Sequence, residues 1–276
     1  MKSVLSIQDL SCVGRCSLTV ALPVLSAMGH RCSVLPTAVL STHTGFSNPK
    51  ILPLTEHIPD FAAHWASQNV HFDAVTCGYL ASSDQVSAVQ DVLYSLREEG
   101  CKVIIDPAMG DHGRLYCGLD AAHPQAMVQL CAAGDILLPN VTEAALLTGL
   151  PYQPQGNDAY FSHLAQTLLQ QFPVTAAVIT GVSGQDGKIG FFGIHRETGI
   201  FSYQTPVVPR QFHGTGDLFA AAFTGAWLTG KTICASGVLA ADFVRACVAH
   251  TPSATAFGVC FEEMLPLLWN SLKQQE

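Results

Sequence analysis

Apolar and polar positions alternate with two periods along this chain. Short uninterrupted apolar runs bounded by turn residues predict buried strands over 4–7, 31–36, 74–77, 103–105, 136–138 and 176–179. Between them, spacing near 3.6 predicts helices over 17–28, 83–99, 123–133, from Thr142 with Glu143 onward, and 158–171. Val86, Val89 and Leu93 share one face of the second helix, and Gly29 and Gly100 stop the first two. Residues 188–205 break the alternation. Apolar runs over 189–194 and 200–203 flank Glu197-Thr198-Gly199, which predicts an antiparallel hairpin at a sheet edge. Helices over 215–228, 233–250 and 261–272 close the chain.

Strands alternating with helices mean βαβ units. The expected fold class is therefore α/β, a three-layer sandwich with a mostly parallel central sheet and helices on both faces. Composition agrees, because 49% hydrophobic and 12% charged residues suit a sheet buried on both sides and exclude a disordered or coiled-coil chain. The 276 residues come close to two domains at ~150 residues each. No Ser/Gly/Pro-rich linker, charge block or repeat divides them, so a single domain over 1–276 is expected. With 13 basic and 21 acidic side chains the formal charge is −8, which lacks the basic footprint of a nucleic-acid binder. An anionic substrate stays open, since a few donors or a metal neutralise it locally. The 10 cysteines are spread out without a CxxC pair, which argues for free thiols in a reducing compartment over disulfides or zinc. The opening run meets Gln8-Asp9 too soon for a secretory segment, and no apolar run approaches the ~18 residues of a membrane span. A cytoplasmic location is expected.

In open parallel sheets, ligands bind beyond the carboxyl ends of the strands. Polar residues gather there: Gln8-Asp9, Thr42-His43-Thr44-Gly45, Gly78-Tyr79, Asp106, Asn140 with Glu143, and Thr180-Gly181. The sharpest element is His213-Gly214-Thr215-Gly216-Asp217, which leads into a helix. Two glycines let the backbone approach a ligand closely. The helix start offers N–H groups and a positive dipole end to a phosphoryl group. Asp217 in the first turn can take a proton from an attacking hydroxyl, or serve as an ordinary helix-start acid. Asp106, Asp111, Asn140 and Glu143 carry hard oxygen donors suited to Mg²⁺. Asp106 before Pro107 and Thr142-Glu143 read equally well as a turn cap and a helix start. The glycine-containing stretch 181–187 either covers a nucleotide or simply enters the hairpin. No Walker A loop occurs.

Taken in order, these segments resemble the pyridoxal/pyridoxine/pyridoxamine kinase family of the ribokinase-like superfamily. The resemblance spans essentially the whole chain. It is carried by Ser6-Ile7-Gln8-Asp9 through Val13-Gly14, Ser41-Thr42-His43-Thr44-Gly45-Phe46, Cys77-Gly78-Tyr79-Leu80, Ile105-Asp106-Pro107-Ala108-Met109-Gly110-Asp111, Leu138-Pro139-Asn140-Val141-Thr142-Glu143, Thr180-Gly181 and Gly214-Thr215-Gly216-Asp217. The last segment signals only the superfamily; His43-Thr44-Gly45-Phe46 and Gly78-Tyr79-Leu80 narrow it to B6 vitamers. The resemblance implies a sheet without the lid domain of sugar kinases, usually a homodimer, and ATP-dependent phosphorylation of a vitamer 5′-hydroxymethyl group. It makes Asp217 the base and Gly214, Thr215 and Gly216 the anion hole. Asp9, Thr44, Gly45, Tyr79 and Asp217 are implied to hold the vitamer. Asp106, Asp111, Tyr116, Asn140, Glu143, Thr180, Thr205, Pro206, Val207, Val208, Gly214 and Gly216 are implied to meet ATP, with Asp106 and Glu143 toward Mg²⁺. The family often also uses a monovalent cation such as K⁺.

One departure is informative. Many members carry Ser where Asp9 stands. An ionised carboxylate only accepts hydrogen bonds, so Asp9 favours a ring N–H⁺, a phenol O–H or an ammonium, which shifts preference toward pyridoxamine or pyridoxine over pyridoxal. The 181–187 stretch lacks basic residues, which weakens a phosphate role for it. The competing readings are a hydroxymethylpyrimidine kinase, a sugar kinase, and a non-catalytic vitamer-binding protein on the same fold.

Overall fold

A parallel strand between two helical layers has no side facing water. The first strand, β1 (Ser3–Ser11), shows this: every residue but Leu10 is buried. The computed structural model describes residues 1–98, 100–185, 187–252 and 257–273. The strands after β1 are β2 (Arg31–Leu40), β3 (Ile51–Pro53), β4 (Ala74–Cys77), β5 (Lys102–Ile105), β6 (Gly110–Asp111), β7 (Arg114–Leu115), β8 (Ile136–Leu137), β9 (Ala176–Ser183), β10 (Lys188–His195) and β11 (Gly199–Pro206). The helices are α1 (Leu18–Ala27), α2 (Ile58–Ser67), α3 (Ser83–Glu98), α4 (His123–Cys131), α5 (Val141–Thr148), α6 (Asp158–Gln171), α7 (Thr215–Leu228), α8 (Ile233–His250) and α9 (Leu265–Lys273). The predicted helix end at Glu99 lies outside the described residues.

The main sheet is ordered β11-β10-β9-β8-β5-β4-β1-β2-β3. Its centre is parallel from β2 to β9, and the predicted hairpin β10–β11 forms an antiparallel edge. Successive side chains on a strand point to opposite faces, so each central strand feeds two cores. Val103, Ile105, Ala177 and Ile179 pack with α3, α4 and α6. Their neighbours Ile104, Ala176 and Val178 pack with α1, α7 and α8. The architecture is the expected three-layer α/β sandwich.

Three features escape the apolar pattern. Strand β2 runs on to Leu40, past an irregular register opposite Gln8 and Leu10 where Pro36 lacks an N–H to donate. Strand β3 is wholly exposed, and α2 buries only Ile58, so neither carries a readable stripe. The two-residue strands β6 and β7 form a separate small hairpin. Helix α8 is long and apolar enough to cross a membrane by length and composition alone. Here it packs on α7, β10 and β11 and buries Ile233, Ala240, Phe243 and Cys247.

Candidate active site

Helix α7 begins at a close approach of two backbone segments. Its N-cap, Gly214, has φ +85°, and a Cβ there would run into the carbonyl oxygen of Arg15. Only glycine fits both demands. Gly216, two residues on, faces open space. Asp217 follows in the first turn, half-buried at the cleft. Enclosure by protein atoms pushes its carboxyl up to about 6, against the pull of the nearby Ser17 backbone N–H and with the charge of Asp9 adding to the rise.

Asp217 belongs to a cluster of acids. Burial and then the charge of Asp217 push Asp106 up to about 8. Burial and then Asp106 hold Glu143 well above the carboxylate range, and three backbone N–H groups oppose this. Those donors are Asn140 N to Oε2 at 2.8 Å, and Met109 N and Gly110 N to Oε1 at 3.1 and 3.5 Å. The Asn140 side chain accepts from Glu143 N at 3.0 Å, so the two close a capping box at the start of α5. The helix-start reading of Glu143 is the one the structure shows, and the same carboxyl lies close to Asp106.

Acids that raise one another's pKa suit a cation. Among the described residues no three His, Cys, Asp or Glu side chains converge as a cage that could hold a metal unaided. Hard oxygen donors of this kind fit Mg²⁺, which keeps water and leans on phosphate oxygens. The folded Asp106 pKa of about 8 stands above the unfolded value of 3.8, so the native state holds a proton that the unfolded chain releases. Native stability therefore falls as pH rises across that window. In EDTA, Asp106→Asn is expected to melt above wild type near pH 8, with the gap narrowing as pH falls and closing only near the unfolded value of 3.8. A gap that widens toward acid would refute the assignment.

The hairpin β6–β7 hangs on the same helix start. Asn140 Nδ2 donates to Gly110 O at 2.8 Å, and Gly113 N donates to Thr142 Oγ1 at 2.9 Å. This hairpin carries Asp111 and leads to Tyr116. Exposed Asp111 accepts from His112 N at 2.7 Å. Tyr116 is 40% exposed; the enclosure of its phenol and then the charges of Glu143, Asp106, Asp111 and Asp217 raise its pKa. Its ring lies 6.3 Å from that of Tyr79.

A second pocket wall centres on Asp9, which lies inside β1 rather than beyond a strand ending at residue 7. Its carboxylate accepts from Ser17 Oγ at 2.5 Å and Ser11 Oγ at 3.1 Å. Burial raises its pKa, while those hydroxyls and the charge of His43 pull it down. Tyr79 is raised by burial and then by Asp9, so the two share one enclosure. Thr44 and Gly45 follow on an exposed loop, where Gly45 N donates to His43 Nδ1 at 3.0 Å. The His43 ring packs 4.9 Å from both Phe46 and His213.

Thr180 joins Asn140 through a bridge between strand ends, donating its N–H to Pro139 O at 2.8 Å. Thr205 lies farther out, level with Ser183 across β10. Pro206 and Val207 are exposed there, Val207 N donates to Gly187 O at 2.8 Å, and Val208 packs on the α7–α8 core. These four therefore stand two strands away from Thr180. The stretch 181–187 is not all loop. Gly181, Val182 and Ser183 extend β9, which leaves a short turn in which Asp186 lies outside the described residues. Sequence reasoning assigned no role to Ser17, Phe46 or His213. Ser17 read simply as a helix start, and the aromatic contact joins distant segments.

A glycine-fronted helix with a raised first-turn acid, set at the carboxyl edge of this sheet, defines a small-molecule kinase of the ribokinase-like superfamily. The chain belongs to the phosphomethylpyrimidine kinase family, whose model matches residues 22–259. A pyridoxine/pyridoxal/pyridoxamine kinase of Bordetella pertussis is 30% identical over 246 residues, covering 83% of this chain and 82% of that one. The pyridoxal kinase of Lactobacillus plantarum superposes with TM-score 0.89 at 31% identity, covering 100% and 99% of the two chains. A Bacteroides thetaiotaomicron protein crystallised with pyridoxal superposes with TM-score 0.92 at 32% identity, covering 97% and 95%.

Proposed function

We infer that this chain transfers the γ-phosphoryl group of ATP to the 5′-hydroxymethyl group of a B6 vitamer. The observation that carries the reading is Asp217, a carboxyl raised to about 6 and set in the first turn of α7 behind Gly214. The vitamer lies between Asp9 and Tyr79, with Thr44 and Gly45 at the rim. Asp217 accepts the hydroxyl proton as the oxygen attacks phosphorus. Backbone N–H groups over Gly214, Thr215 and Gly216 meet the charge on the transferring group. Asp106 and Glu143 would hold Mg²⁺ with its water and phosphate ligands, and Asp111, Tyr116, Asn140 and Thr180 flank the phosphates. Mg²⁺ when bound neutralises phosphate charge, which the 13 basic residues of the chain supply only sparsely. Thr205, Pro206, Val207 and Val208 line the outer nucleotide site. A K⁺ ion beside the nucleotide and a homodimeric assembly complete the proposal.

The test is a substrate panel with ATP and Mg²⁺: pyridoxal, pyridoxine, pyridoxamine and hydroxymethylpyrimidine. ADP release stimulated by a vitamer supports the reading. Turnover with the pyrimidine alone would move the chain to the competing reading, and no turnover at all would favour a vitamer-binding protein.

Asp9 sets a further expectation. Asp9→Ser replaces an acceptor-only group by a hydroxyl that both donates and accepts. The kcat/KM ratio of pyridoxamine to pyridoxal is expected to fall about tenfold, the scale of one charge-assisted hydrogen bond. Unchanged ratios across the three vitamers would remove Asp9 from substrate recognition.

A further inference from the structure

Serine is favoured just before a helix because its hydroxyl accepts from the first-turn N–H groups. Ser17 occupies that position at α1 and does not cap it: no side-chain bond reaches the helix. Its hydroxyl donates instead to Asp9 Oδ1 at 2.5 Å. Its backbone N–H lies close enough to the Asp217 carboxyl to pull its pKa down. One buried residue thus stands between two carboxylates from opposite ends of the chain, with its hydroxyl bonded to the first and its amide toward the second. It does so with φ +52° and ψ −127°, a conformation that side-chain-bearing residues rarely adopt. Glycine would satisfy that backbone without strain and would still offer the N–H to Asp217. What glycine lacks is the hydroxyl, and the hydroxyl is spent entirely on Asp9.

The rest of the Asp9 carboxylate is fixed to match. Ser11 Oγ donates to Oδ2 at 3.1 Å, so each oxygen has one hydroxyl on it. The neighbouring half-buried Cys16 thiol is pushed far above its ordinary value, by enclosure and then by the charges of Asp217 and Asp9, and brings no charge of its own. Hydroxyl donors on both oxygens favour the ionised carboxylate and fix its plane, leaving the remaining lone pairs for a ligand.

We propose that Ser17 is a positioning residue that sets vitamer specificity: its hydroxyl holds Asp9 in the orientation that meets the substrate. The proposal rests on the reading that Asp9 faces the vitamer. It makes the hydroxyl a matter of substrate binding and leaves the chemical step to Asp217.

The experiment is a cycle of Ser17→Gly, Asp9→Ser and the double variant, with thermal melts and steady-state kinetics on all three vitamers. Ser17→Gly is expected to melt no lower than wild type, since glycine accepts φ +52°. Its KM for pyridoxamine rises about tenfold, kcat stays within about twofold, and its vitamer ratios move toward those of Asp9→Ser. In the Asp9→Ser background the same change costs less than about twofold. Ser17→Ala keeps the backbone strain, loses the hydroxyl, and repeats the KM effect. An equal penalty in both backgrounds, or a fall in kcat with KM unchanged, overturns the proposal. If Asp9→Ser alters KM and Ser17→Gly does not, the proposal fails alone. If Asp9→Ser is itself silent, the assignment of Asp9 fails and takes the proposal with it.

Discussion

Asp217→Asn is expected to fold like wild type and to lose about 10²–10⁴ in kcat, the range for removing a positioned general base. Asparagine keeps the shape of the side chain and retains an oxygen that accepts hydrogen bonds. It cannot take up a proton, so the loss isolates proton transfer from binding, and vitamer KM changes only a few-fold. The same residue fixes the pH profile. With its carboxyl at about 6, the base is ionised above that pH and protonated below it. Wild-type kcat/KM should rise about tenfold per pH unit up to about pH 6 and level off above, and the variant should lose this limb. A base with its pKa near the working pH combines ionisation with useful basicity. A variant that turns over at the wild-type rate would show that the assigned base takes no proton.

The second large effect belongs to Gly214→Ala. A methyl group there meets the Arg15 carbonyl oxygen, and φ +85° is strained for any L-residue with a side chain. The start of α7 has to shift, and the N–H groups aimed at the transferring phosphoryl shift with it. Loss of such a donor set lowers kcat by about 10²–10³. The melting temperature should fall as well, because strain of this kind costs about 1–2 kcal/mol. Gly216→Ala is the control: its Cβ meets nothing within 4 Å, so its melting temperature should hold. Equal melting temperatures for the two variants would mean that Arg15 is not the constraint.

How much was legible follows from burial. Central strands such as β5 and β9 are apolar on both faces, so continuous runs announce them. The edge elements β3 and α2 bury almost nothing, so no period marks them. The Gly214-Thr215-Gly216-Asp217 segment carries its chemistry in consecutive residues and could be read directly. Asn140 and Glu143, three apart, could be read either as a capping box or as site residues, and the structure shows the capping box. Ser17 was hidden for the opposite reason: a serine ahead of an apolar helix already has an ordinary explanation. Only its positive φ and its partner Asp9 show that the explanation fails. Thr205, Pro206, Val207 and Val208 carry a role by resemblance alone, since nothing in their local pattern separates them from any strand end.

The strand order has a consequence for how this protein acquires activity. The chain enters the sheet at β1, fills β2 and β3 on one side, then returns and works outward to β11 before α7 comes back to pack on α1. The residue proposed to bind substrate is made early, and its proposed base is placed only after nearly the whole sheet has closed. Contacts so distant in sequence are slow to form. Recovered turnover during refolding should therefore lag behind recovered helix content. An unfinished chain emerging during synthesis would carry Asp9 and Ser17 with no base opposite them.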